Sequence, residues 1–230
     1  MKNFDHLIFD LDDTLLDTFG LLVPQASKEA CAKMIEQGLA GDIASCLLMR
    51  EELAQTSART DLFTNLVNHI GVKNGVDAKH VAKAGFTAFY DRKVESSIAI
   101  FPGLRDVLHD LKDKYGMHLV TSGHPETQEE KLQILELRPL FDTTTIVNTF
   151  AHETKENAFR AIAKRTGGSP PRHLSIGNRL DTDIAPAKIL HWSTCWVKYG
   201  EYARSTPANK FETPDYTLAS MKELISTCQL

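Results

Sequence analysis

Apolar residues along this chain change their period twice. Leu7-Ile8-Phe9 is a continuous apolar run that stops at Asp10, as a buried strand does at the edge of a sheet. After Leu15 the spacing becomes helical and stays so up to residue 94, in four segments. Segment 24–39 places Ala26, Ala30, Met34 and Ile35 on one face, and segment 42–58 opens on a capping Asp42 and carries Ile43, Leu47, Leu48 and Leu53. Segment 60–70 turns Leu62, Phe63, Leu66 and Val67 inward and stops at Gly71, and segment 77–94 carries Val81, Phe86, Phe89 and Tyr90. Together they predict a compact helical bundle inserted between two pieces of a different domain.

From Phe101-Pro102-Gly103 onward helices and strands alternate. Helices are predicted at 104–115, 126–137, 155–166 and 182–190, and short apolar strands at 117–120, 145–147, 173–176 and 194–197. A loop-rich tail follows, with a short strand at 215–218 and a last helix at 220–227. Strands separated by helices and short links pair in parallel, so the fold class is α/β, a doubly wound parallel sheet with a helical-bundle insertion. The predicted division is 1–16 with 98–230 as the core and 17–97 as the inserted domain.

Ligands of such sheets sit beyond the carboxyl ends of the strands. In this chain those ends carry Asp10 and Asp12, then Thr121 and Ser122, then the loop from Gly177 to Asp183, with Lys155 opening a helix on the same rim. Asp10, Asp12 and Asp13 put three carboxylates within four residues. Burying that much like charge is costly unless a cation or a reaction requires it. Asp13 suits a turn or cap; Asp10 and Asp12, two apart on a strand, would share a face and repel.

Composition narrows the setting. The 230 residues are 42% hydrophobic and 24% charged, enough for a real core, and a net charge of -4 argues against a nucleic-acid surface. Met1 to His6 lead directly into the first strand without an apolar leader, and no apolar run is long enough to span a bilayer, so a cytoplasmic enzyme with no membrane partner is expected. Cys31, Cys46, Cys195 and Cys228 lack zinc or redox spacing and read as reduced, buried thiols.

The converging groups suit phosphoryl transfer, which needs a nucleophile, a proton donor for the leaving oxygen and positive charge for the phosphoryl oxygens. Asp10 can accept a phosphoryl group, and Asp12 can protonate the leaving oxygen and then activate water. Thr121 or Ser122 can donate a hydroxyl to the phosphate, although Thr-Ser-Gly after a strand is also an ordinary turn. Acidic groups facing a phosphate require a divalent cation, and hard oxygen ligands point to Mg²⁺. The expected ligands are the side chains of Asp10 and Asp183, the backbone carbonyl of Asp12 and the side-chain oxygen of Asn178, with Lys155 neutralising the remaining charge.

Phe9-Asp10-Leu11-Asp12-Asp13-Thr14-Leu15 resembles the first signature of the haloacid dehalogenase-like superfamily. Leu119-Val120-Thr121-Ser122-Gly123, then Lys155, then Gly177-Asn178 through Asp183 follow in that family's order and spacing. The resemblance implies a Rossmann-like core, a mobile helical cap, Mg²⁺ and an aspartyl-phosphate intermediate. By position it makes Asp10 the nucleophile, Asp12 the acid/base, Thr121 the phosphate-binding hydroxyl, Lys155 the charge-balancing group and the Asn178 to Asp183 loop the metal-binding loop. A second aspartate at Asp12 resembles the phosphatases and phosphomutases of the family and disfavours dehalogenation.

Two departures stand out. The family's fourth signature usually begins Gly-Asp where this chain has Gly177-Asn178, which predicts weaker metal binding, and Lys155-Glu156 replaces a frequent Lys-Pro. The expected activity is a Mg²⁺-dependent phosphatase acting on a small phosphorylated metabolite. The alternatives are a phosphomutase of the same superfamily or a weakly active member that binds a phosphorylated ligand. Phe19, Arg50 and Arg59 are candidates to reach a substrate from the cap, against ordinary core or surface roles.

Overall fold

The first apolar run forms strand β1 (His6–Phe9), which lies inside a six-stranded sheet. The computed structural model describes residues 4–54, 57, 61–91, 93–94, 97–167 and 172–230. After β1 come helices α1 (Thr18–Leu21), α2 (Val23–Glu36), α3 (Ile43–Ala54), α4 (Leu62–Ile70), α5 (Ala78–Tyr90) and α6 (Leu104–Lys112). The chain then runs through β2 (Gly116–Gly123), α7 (Pro125–Ile134), β3 (Thr143–Asn148), α8 (Lys155–Thr166) and β4 (His173–Gly177). It finishes with α9 (Ala185–Ile189), β5 (Ser193–Val197), β6 (Tyr216–Leu218) and α10 (Leu224–Cys228).

The sheet order is β3-β2-β1-β4-β5-β6, and every adjacent pair is parallel. Ile8, Val120 and Val147 pack on one face with Phe159 and Ile162 of α8, Ala187 of α9 and Trp192. Leu7, Phe9 and Leu119 point the other way and have no exposed surface, so the sheet is covered on both faces, as the unbroken apolar strands require. Strand order reverses between β1 and β4. Phe9 is in register with Leu119 on one side and Ile176 on the other, which brings the residues after β1 and β4 to one level.

The chain divides into two compact units, Met1–Phe19 with Glu95–Leu230, and Gly20–Val94. The second unit contains α2 to α5 around a core of Ala30, Met34, Leu39, Leu53, Phe63, Leu66, Val67 and Val81. Gly85 permits the close approach of α5 to α2, since a Cβ there would overlap Met34. Asp77 caps α5 by accepting from the Lys79 N–H at 3.0 Å.

Several helices are shorter than their apolar patterns, while α8 has the predicted bounds. α2 stops at Glu36 because Gly38, at φ 106°, turns the chain out of the helix, and α5 stops at Tyr90. α3 is described to Ala54, and part of the predicted segment beyond it lies outside the described residues. The helix predicted at 182–190 opens instead as a wide π-turn, Leu180–Ile184, before α9. The four cysteines are buried free thiols. Among the described residues no helix is long and apolar enough to cross a membrane.

Candidate active site

β1 ends at Phe9, so the expectation that Asp10 and Asp12 share a strand face is not met. The Asp10 N–H still donates to the Ile176 carbonyl of β4 at 2.9 Å, and then the backbone folds over itself. Leu15 and Leu16 N–H groups both reach the Leu11 carbonyl, and Asp13 takes a left-handed conformation at φ 57°. This turn separates the two carboxylates. Asp10 meets one lysine and Asp12 another, which relieves the repulsion that a shared face would impose.

Lys155 opens α8, whose N-terminus is capped by Thr154. Its ammonium donates to Asp10 Oδ1 and to Asp183 Oδ1, each at 2.5 Å, and all three side chains are buried. Burial pushes the Asp10 carboxyl up to about 6; Lys155 pulls it back, while Asp183 and Asp12 add to the rise. Burial alone would depress Lys155, but the two carboxylates outweigh it and hold the ammonium above the usual lysine range. Two carboxylates and one ammonium leave one negative charge uncompensated, the condition that a cation relieves.

Asp183 is placed by the turn that follows β4. Its Oδ2 accepts from Arg179 N–H at 2.9 Å, and its backbone carbonyl accepts from Ser175 Oγ at 2.9 Å. Gly177 is required there, since a Cβ would overlap the Asp183 carboxylate. Asn178 is buried beside it, with its backbone carbonyl fixed by Trp196 Nε1 at 2.8 Å.

Asp12 is held by three donors. Thr18 Oγ1 and Lys131 Nζ donate to Oδ1 at 2.5 and 2.6 Å, and Gln128 Nε2 donates to Oδ2 at 2.9 Å. Burial would raise this carboxyl, but Lys131, Thr18 and Gln128 outweigh it and keep it below the ordinary carboxylate range. Gln128 Nε2 also donates to Thr121 Oγ1 at 2.5 Å, and Thr121 is fully buried within β2. Gly123 leaves room for this, because a Cβ there would lie 3.1 Å from Gln128 Cγ. Asp13 takes the turn-stabilising place expected of it, accepting from Phe19 N–H at 2.8 Å and Glu201 N–H at 3.5 Å, and burial pushes its carboxyl up to about 7.

Of the groups expected from sequence, Asp10, Lys155 and Asp183 form one directly bonded cluster, Asn178 lies in the turn that carries Asp183, and Asp12 and Thr121 are joined through Gln128. Gln128, Lys131 and Thr18 escaped the sequence reading; the one available signal was that Gln128 and Lys131 share a helical face with Leu132 and Leu135 close by. Arg50 is buried within α3 with its guanidinium 5.2 Å from the Phe89 ring centre, which makes it a core residue of its unit and not a solvated one. Phe19 is partly exposed and serves Asp13 through its backbone, and Arg59 lies outside the described residues.

The donor chemistry suits a hard cation. Among the described residues no group of three or more His, Cys, Asp or Glu side chains is placed to hold a metal, so a cation at Asp10 and Asp183 would draw on other oxygens, for which Asn178 and the Asp12 backbone are the neighbours in sequence. A doubly wound sheet with buried, lysine-bridged carboxylates at its switch point is the arrangement of α/β proteins whose ligands sit at the carboxyl edge of the sheet. Residues 4–191 match the haloacid dehalogenase-like hydrolase family, and the chain belongs to that family.

It is 30% identical to the glyceraldehyde 3-phosphate phosphatase of Pyrococcus furiosus over all of this chain and 95% of that one. Its fold is similar to that of the HAD-hydrolase YfnB of Bacillus subtilis bound to magnesium, with a TM-score of 0.68, 21% identity and 98% of both chains covered. It is also similar to the structure of a predicted phosphoglycolate phosphatase from Haemophilus somnus, with a TM-score of 0.72, 16% identity and 98% of both chains covered.

Proposed function

We propose that this hydrolase is a Mg²⁺-dependent phosphatase that cleaves a small phosphorylated metabolite through an aspartyl phosphate on Asp10. The enzyme is a phosphoric monoester hydrolase. The observation that carries the reading is the division of labour between two ionic clusters: Asp10 and Asp183 with Lys155, all buried, and the half-buried Asp12 with Lys131. Similarity to the P. furiosus phosphatase, at 30% identity over the whole chain, supports a small phosphomonoester as substrate.

In the first half-reaction an Asp10 carboxylate oxygen attacks phosphorus, the bond to the leaving oxygen breaks, and that oxygen takes up a proton through Asp12, which its donors keep ionised in the free site and which first takes that proton from the monoprotonated phosphate ester. In the second, Asp12 takes a proton from water as that water attacks the aspartyl phosphate, releasing phosphate and restoring Asp10. Lys155 keeps Asp10 ionised and oriented, and the Thr121 hydroxyl, which accepts from Gln128, keeps its own hydrogen for a phosphoryl oxygen. Asp10, Asp183, Asn178 and the Asp12 carbonyl would hold Mg²⁺, which would supply the positive charge that the phosphoryl oxygens and the paired carboxylates require. The unit Gly20–Val94 is proposed as the cap that sets substrate choice. Four free buried thiols fit a cytoplasmic setting.

The neutral Asn178 favours a second reading, a weakly active member that holds a phosphorylated ligand. Release of inorganic phosphate from p-nitrophenyl phosphate with Mg²⁺ separates the two. Turnover that disappears in Asp10→Asn and with chelator is expected. Phosphate binding without turnover in the wild type would overturn the phosphatase reading, and return of phosphate to a sugar instead of its release would identify a mutase.

A further inference from the structure

α7 is polar along most of its length, yet two of its polar side chains point inward. Gln128 and Lys131, three residues apart, are 2% and 5% exposed, while Glu126 and Gln133 on the same helix lie in solvent. An amide and an ammonium are costly to bury without partners. Here every partner is a residue of the phosphoryl site: Lys131 Nζ donates to Asp12 Oδ1 at 2.6 Å, and the one amide nitrogen of Gln128 donates to both Asp12 Oδ2 and Thr121 Oγ1.

The count of acceptor sites gives the pair a specific task. A carboxylate oxygen accepts about two hydrogen bonds. Thr18 and Lys131 fill Oδ1, whereas Oδ2 receives Gln128 alone among the described residues. Oδ2 is therefore the oxygen with a remaining lone pair. The same amide fixes the acceptor side of the Thr121 hydroxyl, which directs its hydrogen away from Gln128.

We infer that Gln128 and Lys131 are positioning residues that lock the Asp12 carboxylate so that Oδ2 carries the proton to and from substrate, with Gln128 tying that oxygen to the Thr121 phosphate-binding hydroxyl. The inference rests on the phosphatase reading, in which Asp12 is the acid/base. Neither residue touches the reacting atoms; both act through Asp12 and Thr121. Proton donation matters most when the leaving oxygen is basic, so loss of the lock harms cleavage of an alkyl phosphate far more than cleavage of a phosphate ester with a good leaving group.

The test compares kcat/KM, which reports the first half-reaction, for glycerol 3-phosphate and p-nitrophenyl phosphate in wild type, Gln128→Met, Lys131→Met, Asp12→Asn and the double variant Asp12→Asn/Lys131→Met. The expected result is a loss of about 10²-fold on the alkyl ester and below about tenfold on the aryl ester for each α7 variant. Lys131→Met should add little to Asp12→Asn, since a lock has no further effect once its target has lost its function. Equal losses on both esters, additivity in the double variant, or wild-type rates would each overturn the inference. Gln128→Met leaves no buried charge unpaired, so it decides the matter if Lys131→Met fails to fold. Wild-type protein that hydrolyses neither ester refutes the phosphatase reading and this inference with it; wild-type turnover lost in Asp10→Asn, without the leaving-group split, refutes this inference alone.

Discussion

The two ends of the same three strands bury ionisable groups in opposite ways. Beyond the carboxyl ends of β1 and β4, Asp10, Lys155 and Asp183 are sealed in as charges, each bonded to its opposite. Towards the amino ends, His6 stacks on His173 with ring centres 4.9 Å apart and lies tilted against His118 at 5.4 Å. His173 in turn stacks on Trp192 at 4.6 Å. Burial pushes His118 down to about 4 and lowers His6 as well, so these two rings favour the neutral form. Keeping charge inside is expensive, and the chain does it at the end where the sheet order reverses. The opposite end shows the cheaper solution, which is to surrender the proton.

The charged end depends most on Lys155. Lys155→Met leaves two buried carboxylates facing each other, and a loss of about 3–5 kcal/mol in urea unfolding is expected together with turnover below detection. Stability within about 0.5 kcal/mol of wild type would show that the cluster does not depend on its ammonium. Glycine substitutions come next. A Cβ at Gly177 would overlap the Asp183 carboxylate, and one at Gly116 would overlap the His6 ring. Both Gly177→Ala and Gly116→Ala should cost about 1–3 kcal/mol, but only the first should also lower kcat/KM. Equal effects on catalysis would mean that the two ends are not functionally distinct.

Asn178→Asp sharpens the charged end. It adds a carboxylate to a buried site, so the half-saturating Mg²⁺ concentration should fall by about tenfold, because ligand charge sets affinity at such sites. An unchanged Mg²⁺ titration would remove Asn178 from the ligand set. The smallest effect belongs to the histidine end. A histidine whose folded value lies near 4 binds its proton later than the same residue in the unfolded chain, near 6.5, so its contribution is fully present above about pH 6.5 and is lost as pH falls towards 4. Asp13, pushed up to about 7, works in the other direction, its contribution falling as pH rises through that window. His118→Gln should therefore shrink the stability lost between about pH 7 and pH 5; an undiminished loss would place the acid sensitivity elsewhere.

Much of this was legible in the residue pattern. The apolar run ending at Asp10 and the alternation of helix and strand after Phe101 place the sheet and bring Asp10 and Thr121 to its carboxyl edge, because strand burial and parallel connection leave few arrangements. The partners of Asp12 were not legible. Gln128 and Lys131 sit in Pro125–Ile134, a helix whose composition reads as solvated, and only the three-dimensional path of α7 shows that these two side chains turn inward. Nor did spacing reveal that β1 ends before Asp10. A two-residue interval looks like one strand face until the hydrogen bonds to Leu11 show a turn.

Asp10 is the residue proposed to take the phosphoryl group. Acid-quenched single turnover with ³²P-labelled substrate, followed by peptide mapping, tests it directly. Transient, hydroxylamine-labile label is expected on the peptide that contains Asp10, accumulating in Asp12→Asn when the labelled substrate is p-nitrophenyl phosphate, whose leaving group needs no proton, and absent in Asp10→Asn. Phosphate release at full rate from Asp10→Asn, with no labelled peptide in any variant, would contradict it.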